Sequence, residues 1–182
     1  MKKLCIILPM ALILCFMVGC QDKEAMAELE EFKAQAEVEE QNKALVERWF
    51  EEVDKGDIES IFALVDQIFP DDYISHGADY GLHGPKGLKE HITSSQNSFS
   101  DMQHIIEDNF AEGNMVATRC TFRATQKGEF MGIPPTGKQI TFPVLYIHRI
   151  EDGKIKEAWI DYDSLLSLAM QLGMELKPKE EE

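Results

Sequence analysis

The chain has 182 residues, with 33 acidic side chains against 18 Lys and Arg and a formal net charge of −15. That surplus of carboxylates excludes nucleic acid as a partner, because a phosphate backbone favours basic surface and repels acidic surface. No block of Lys or Arg suits anionic lipid either, so any membrane contact has to come through an anchor.

The first element in chain order is a targeting segment. Lys2-Lys3 precede an apolar run from Leu4 to Val18, and Gly19-Cys20 follow, which is the layout of a Sec-type signal over residues 1–19. The run is shorter than the roughly 20 apolar residues of a spanning helix. Met17-Val18-Gly19-Cys20 resembles the bacterial lipobox, and this implies cleavage before Cys20 and lipidation of its thiol. The alternative is an ordinary signal peptide, or an uncleaved anchor, that happens to contain a Cys. With Gln21 after Cys20, the lipobox resemblance implies an exported, membrane-anchored lipoprotein at the outer membrane or cell surface. Cys5 and Cys15 would leave with the signal and Cys20 would carry lipid. Cys120 then remains as a packed free thiol on a strand, without an intramolecular disulfide partner.

Residues 20–41 contain the lipid-anchored Cys and a charged stretch with no Pro. Its larger apolar residues, Met26, Leu29, Phe32 and Val38, are too sparse and irregular for a coiled-coil seam, so a solvated helical spacer is expected. Residues 42–173 are the folded domain, about 130 residues, enough for one buried core. Residues 174–182 are a charged tail.

Within the domain, helices come first. Leu45, Val46, Trp49, Phe50 and Val53 give helical spacing over Asn42 to Lys55, and Gly56-Asp57 ends that helix and caps the next, Ile58 to Ile68. Pro70 stops the second helix. Asp72 to His76 reads as a short extended segment, followed by a Gly-rich loop, and Pro85 opens a third helix running to Phe99. Period-two alternation then gives strands over Met102 to Phe110, Met115 to Ala124, Gln139 to Ile150 and Lys154 to Tyr162. Asp152-Gly153 is a tight hairpin turn between the last two. Ser164 to Leu172 forms a closing helix. Helices followed by an antiparallel meander make an α+β domain with helices on one face of a curved sheet.

Three further segments complete a pattern: Tyr73-Ile74-Ser75-His76, Gly84-Pro85-Lys86-Gly87, and the loop from Gly128 through Gly132-Ile133-Pro134-Pro135-Thr136-Gly137-Lys138. With Lys55-Gly56-Asp57, the Asp-Gly hairpin, Trp159, Asp163 and Gln171-Leu172-Gly173, the chain resembles the SnoaL-like polyketide cyclases, or ester cyclases, of the nuclear transport factor 2-like superfamily. The resemblance implies a cone-shaped barrel, its sheet wrapped around the N-terminal helices to leave an internal apolar pocket. It also implies ring closure by intramolecular aldol condensation without metal or organic cofactor. In that chemistry an acid matching Asp163 takes a proton from an activated carbon, and His76 is the second pocket residue. Domains of this kind often pair, so a homodimer through the sheet face is expected.

Each candidate also has a plainer role. Asp163 precedes Ser164 and could cap the closing helix, and Asp161 shares its face. His76 could simply bond its own loop. Tyr146 and His148 are candidate donors on one strand face, with a packed Tyr and an exposed strand-end His as the plainer alternatives. Trp49 and Trp159 are expected as pocket wall or core, and Arg119 as the partner of a carboxylate across the sheet. No His pair has ligand spacing on one helix or strand, so no metal is expected. The partner expected is a small apolar or aromatic molecule, handled by cofactor-free cyclisation, isomerisation or dehydration. A noncatalytic ligand-binding or scaffold lipoprotein on the same fold is the alternative. Epoxide hydrolysis is disfavoured, because it resembles an arrangement built on Arg-x-Asp and no Arg-x-Asp occurs here.

Overall fold

The computed structural model describes residues 4–77, 82–162 and 165–174, with side chains described from residue 23 onward except 162–166. Asp163 lies outside the described residues, and so does most of the charged tail. The elements run α1 (Leu4–Lys55), α2 (Ile58–Ile68), β1 (Ile74–Gly77), α3 (Gly84–Ser98), β2 (Phe99–Glu112), β3 (Met115–Gln126), β4 (Gln139–Glu151), β5 (Lys154–Tyr162) and α4 (Leu165–Leu172). Two compact units divide the chain, Met1–Val38 and Glu39–Glu182.

The first unit is helical from Leu4. Met26, Leu29, Phe32 and Val38 are all exposed there, at 56%, 45%, 69% and 49%. Over residues 23–38 the helix leaves its few large apolar groups in water and so presents no apolar face to bury. Among the described residues no helix is long and apolar enough to cross a membrane.

The second unit starts where α1 acquires partners. Glu39 accepts a hydrogen bond from the Gly113 amide at 2.8 Å, and the Asn42 side chain donates to the Gly113 carbonyl at 3.1 Å. Together they tie the helix to the β2–β3 turn. From there Val46, Trp49 and Phe50 turn inward against Ile61, Leu64 and Val65 of α2. Asp57 caps α2 by accepting from the Glu59 amide at 3.2 Å and the Ser60 hydroxyl at 2.7 Å.

The five strands form one sheet in the order β1-β5-β4-β3-β2. The four long strands pair antiparallel, and β5 follows β4 through Asp152 and Gly153, both at positive φ as the tight turn requires. The short segment expected before the Gly-rich loop is itself a strand, and it joins β5 in parallel, so the sheet is mixed. The outer strand β2 is longer than the alternation suggests, because it begins at Phe99, directly after α3.

The long loop between β3 and β4 is held by its own polar groups. Gln126 is fully buried, donating to the Ile133 and Pro134 carbonyls and accepting from the Thr136 amide and hydroxyl. Gly128 lies so close to α3 that a Cβ there would meet the Asn97 carbonyl oxygen at 2.2 Å. Only glycine fits this approach. The loop thereby carries Phe130 against Phe99, ring centroids 4.9 Å apart. At the far end, α4 is fastened to β4 by two bonds between the Gln171 amide group and the Thr141 backbone, 2.9 and 3.0 Å.

Candidate functional site

Between the helices and the sheet lies a cavity of about 580 Å³. That is a common size for small-molecule sites. Its walls are mostly aromatic and aliphatic: Trp49 and Phe50 from α1, Phe122 and Phe142 from the sheet, and Phe130 and Met131 from the β3–β4 loop. Alternation decides which strand residues reach it. Tyr146 and His148 of β4, Ala158 and Ile160 of β5, and Ser75 of β1 line the cavity.

Two buried polar atoms have no hydrogen-bond partner among the described residues, the Ser75 hydroxyl oxygen and His148 Nδ1. Both side chains are almost completely buried, at 1% and 2% exposure, and both line the cavity. A buried polar atom without a partner costs about 1–3 kcal/mol, so two of them on residues lining one chamber mark a place for a ligand's polar group. Burial pushes His148 down from 6.5 to about 4, which keeps the ring neutral at physiological pH. A neutral imidazole can offer an N–H to an oxygen or a lone pair to a hydroxyl. His148 stacks on Tyr146 at 6.0 Å between centroids, and Phe50 packs against both.

A second polar pair was not legible in the sequence. Asp54, one residue before the end of α1, accepts from the backbone amide of His104 at 2.7 Å and bonds its ring Nδ1 at 2.6 Å. His104 lines the cavity, while Asp54 stands behind it. The available signal was parity: His104 shares the inward face of β2 with Met102. Asp54 lies 50 residues earlier, so only the fold brings the two together.

The candidate residues separate accordingly. Trp49, Tyr146 and His148 meet in the cavity. His148 is no exposed strand-end residue, because β3 and β5 flank it on both sides, pairing it with Val116 and Ala158. His76 and Trp159 do not join them. Ser75 takes the inward position on β1, so His76 falls on the opposite face of the sheet, stacked on Trp159 at 4.9 Å and bonded to Glu157 at 2.9 Å. Arg149 completes that outer group, bonded to Glu157 at 2.6 Å and lying over the Trp159 ring at 5.3 Å. Arg119 pairs across strands with Asp108 at 2.8 Å, as expected. Among the described residues no group of three or more His, Cys, Asp or Glu could hold a metal ion.

A curved sheet closed by N-terminal helices around an apolar chamber with a few buried polar groups defines an α+β domain of the nuclear transport factor 2-like class. A family model described as SnoaL-like polyketide cyclase matches residues 44–172, and the chain belongs to that family. The aklanonic acid methyl ester cyclase of Streptomyces peucetius is 30% identical over 108 residues, covering 56% of this chain and 72% of its own. The nogalonic acid methyl ester cyclase of Streptomyces nogalater is 27% identical over 107 residues, covering 56% and 80%. Among solved structures, AclR of Streptomyces galilaeus superposes with a TM-score of 0.64 at 26% identity, over 74% of this chain and 97% of that one.

Proposed function

We propose that this SnoaL-like protein binds a small apolar or aromatic molecule in the cavity and moves a proton on it without metal or organic cofactor, in aldol-type cyclisation, isomerisation or dehydration. The observation that carries this is the pair of buried, unbonded polar atoms, Ser75 Oγ and His148 Nδ1, on residues lining a mostly apolar chamber. Removing a proton beside a carbonyl puts negative charge on the carbonyl oxygen. A fixed hydroxyl and a neutral imidazole in a dry chamber stabilise that charge far better than mobile water does. Asp163 is the proposed general acid and base: it takes the proton, the enolate carbon attacks a second carbonyl, and the proton returns to the new alkoxide. The relatives' names give a test molecule, aklanonic acid methyl ester. Saturable quenching of Trp49 fluorescence by it in the Trp159→Phe protein, where Trp49 is the single tryptophan, with product formed by the wild type and none by Asp163→Asn, is the expected result. Binding without turnover in the wild type would leave a ligand-binding protein, and no binding would sink the proposal.

Export and lipidation at Cys20 belong to the same proposal, supported by Lys2-Lys3, the apolar run and Gly19-Cys20. Mass spectrometry of the mature amino terminus tests them; an unmodified Cys20 removes the anchor. Pairing through the outer sheet face is supported by Ile105 and Leu145, 41% and 42% exposed there. Native mass decides it, and a monomer would rule it out.

A further inference from the structure

We propose that Asp54 and His104 form a second proton-transfer device in the cavity, with His104 as the catalytic base and Asp54 as its positioning residue. This rests on the small-molecule role proposed above and adds a base on the opposite side of the chamber from β1 and β5.

The geometry fixes which nitrogen is basic. An ionised carboxylate can only accept, so the 2.6 Å contact requires that Nδ1 of His104 carry the proton. In the neutral ring Nε2 is then the lone-pair nitrogen. The second carboxylate oxygen accepts the His104 backbone amide at 2.7 Å, so backbone and ring are held by one rigid group. β2 is the sheet's outer strand, and capping that amide would by itself account for Asp54. It does not account for the ring bond, nor for a His side chain only 8% exposed on a cavity wall. Phe50, Phe122 and Tyr146 surround the imidazole at 4.9, 5.0 and 5.9 Å between centroids. Aromatic walls keep water from competing for Nε2 and leave a flat ligand room to stack beside it. A His oriented by a carboxylate is the arrangement that general-base chemistry uses on many folds.

The test uses 5-nitrobenzisoxazole, a flat aromatic probe whose ring opens when a base removes the proton on C3. Nε2 takes that proton, the C–N bond becomes a nitrile as the N–O bond breaks, and the electron pair leaves on the phenolate oxygen. The proton then passes from His104 to water. The full chain carrying Trp159→Phe keeps Trp49 as its single tryptophan, so probe binding is read by fluorescence and ring opening by the coloured phenolate. Saturable ring opening is expected, with kcat about a hundredfold lower in His104→Gln. Asp54→Asn covers the case in which that variant fails to fold. The single amide oxygen of Asn has to meet the backbone N–H, leaving its NH₂ group against Nδ1 and forcing the proton to Nε2. Ring ¹⁵N shifts of His104 should therefore report a change from the Nδ1–H to the Nε2–H tautomer, with kcat at least tenfold lower. Binding with no ring opening, a wild-type rate in His104→Gln, or an unchanged tautomer in Asp54→Asn overturns the dyad and leaves the ligand site standing. Absence of saturable quenching overturns both.

Discussion

Ser75 and His148 stand on either side of Ala158 in one row of the sheet, each paired with it; both line the cavity, and each carries a buried polar atom without a bond. Neighbouring strands lie about 4.8 Å apart, so the two backbones are separated by about 10 Å with only a methyl group between them. Ala158 lines the cavity in that gap, between the two polar side chains. Ala158→Leu would fill it. Leucine there should weaken binding of aklanonic acid methyl ester at least tenfold while costing about 1–3 kcal/mol of stability through overpacking. Trp49 quenching and urea unfolding measure the two effects, and unchanged affinity would show that the ligand's polar group sits elsewhere.

His148 also makes stability depend on pH. Its folded-state pKa is about 4 against an ordinary 6.5, because burial disfavours the charged ring. As pH falls below 6.5 the unfolded chain takes up a proton that the folded chain refuses. Its contribution is therefore complete above 6.5, declines between 6.5 and about 4, and changes no further below that. The size of the decline is about 3 kcal/mol. Urea denaturation across that window should show the slope in the wild type, and His148→Gln should remove it. An identical slope in both proteins would mean that His148 titrates normally.

Gln126 is the residue on which the β3–β4 loop depends. Its amide makes four hydrogen bonds to Ile133, Pro134 and Thr136 while fully buried. Gln126→Met keeps the volume and removes every polar partner, leaving loop groups unbonded in the interior. We expect a loss of about 2–4 kcal/mol and faster amide exchange at Thr136. Because this loop carries Phe130 and Met131 to the cavity wall, ligand affinity should fall as well. A loss below about 0.5 kcal/mol would show that water replaces the network at little cost.

The fold was largely legible because its periods are strong. Ile58–Ile68 and Lys154–Tyr162 fall where spacing placed them, since an apolar stripe and a strict alternation each leave one solution. The site was legible only in part. Alternation correctly groups Tyr146 with His148, yet it cannot say which face of a strand meets the helices. On β5 the face of Ala158 and Ile160 faces the cavity, and Trp159 lies on the other. The same one-residue ambiguity sends Ser75 inward and His76 outward. Asp54 and His104 were hidden for another reason: no local pattern links a helix end to a strand 50 residues later. Their contact depends on how α1 crosses the sheet.

Cys120 reports on that crossing from beneath. It is fully buried on β3, between Ile106 and Val144 of the adjoining strands. Burial first, and then the negative charge of Asp54, push its thiol up to about 11. Only the thiolate attacks disulfides and alkylating reagents, so the shift from an ordinary 9.0 lowers the reactive fraction at pH 8 about a hundredfold before access is considered. Iodoacetamide labelling, read by peptide mass so that Cys120 is followed by itself, should be negligible in the native protein and complete in urea. Asp54→Asn removes the smaller contribution and loosens α1 over β2. Labelling of Cys120 should then speed up severalfold while the protein remains folded. A native rate equal to that of the unfolded chain would contradict the burial of Cys120, and an unchanged rate in Asp54→Asn would show that Asp54 holds only His104.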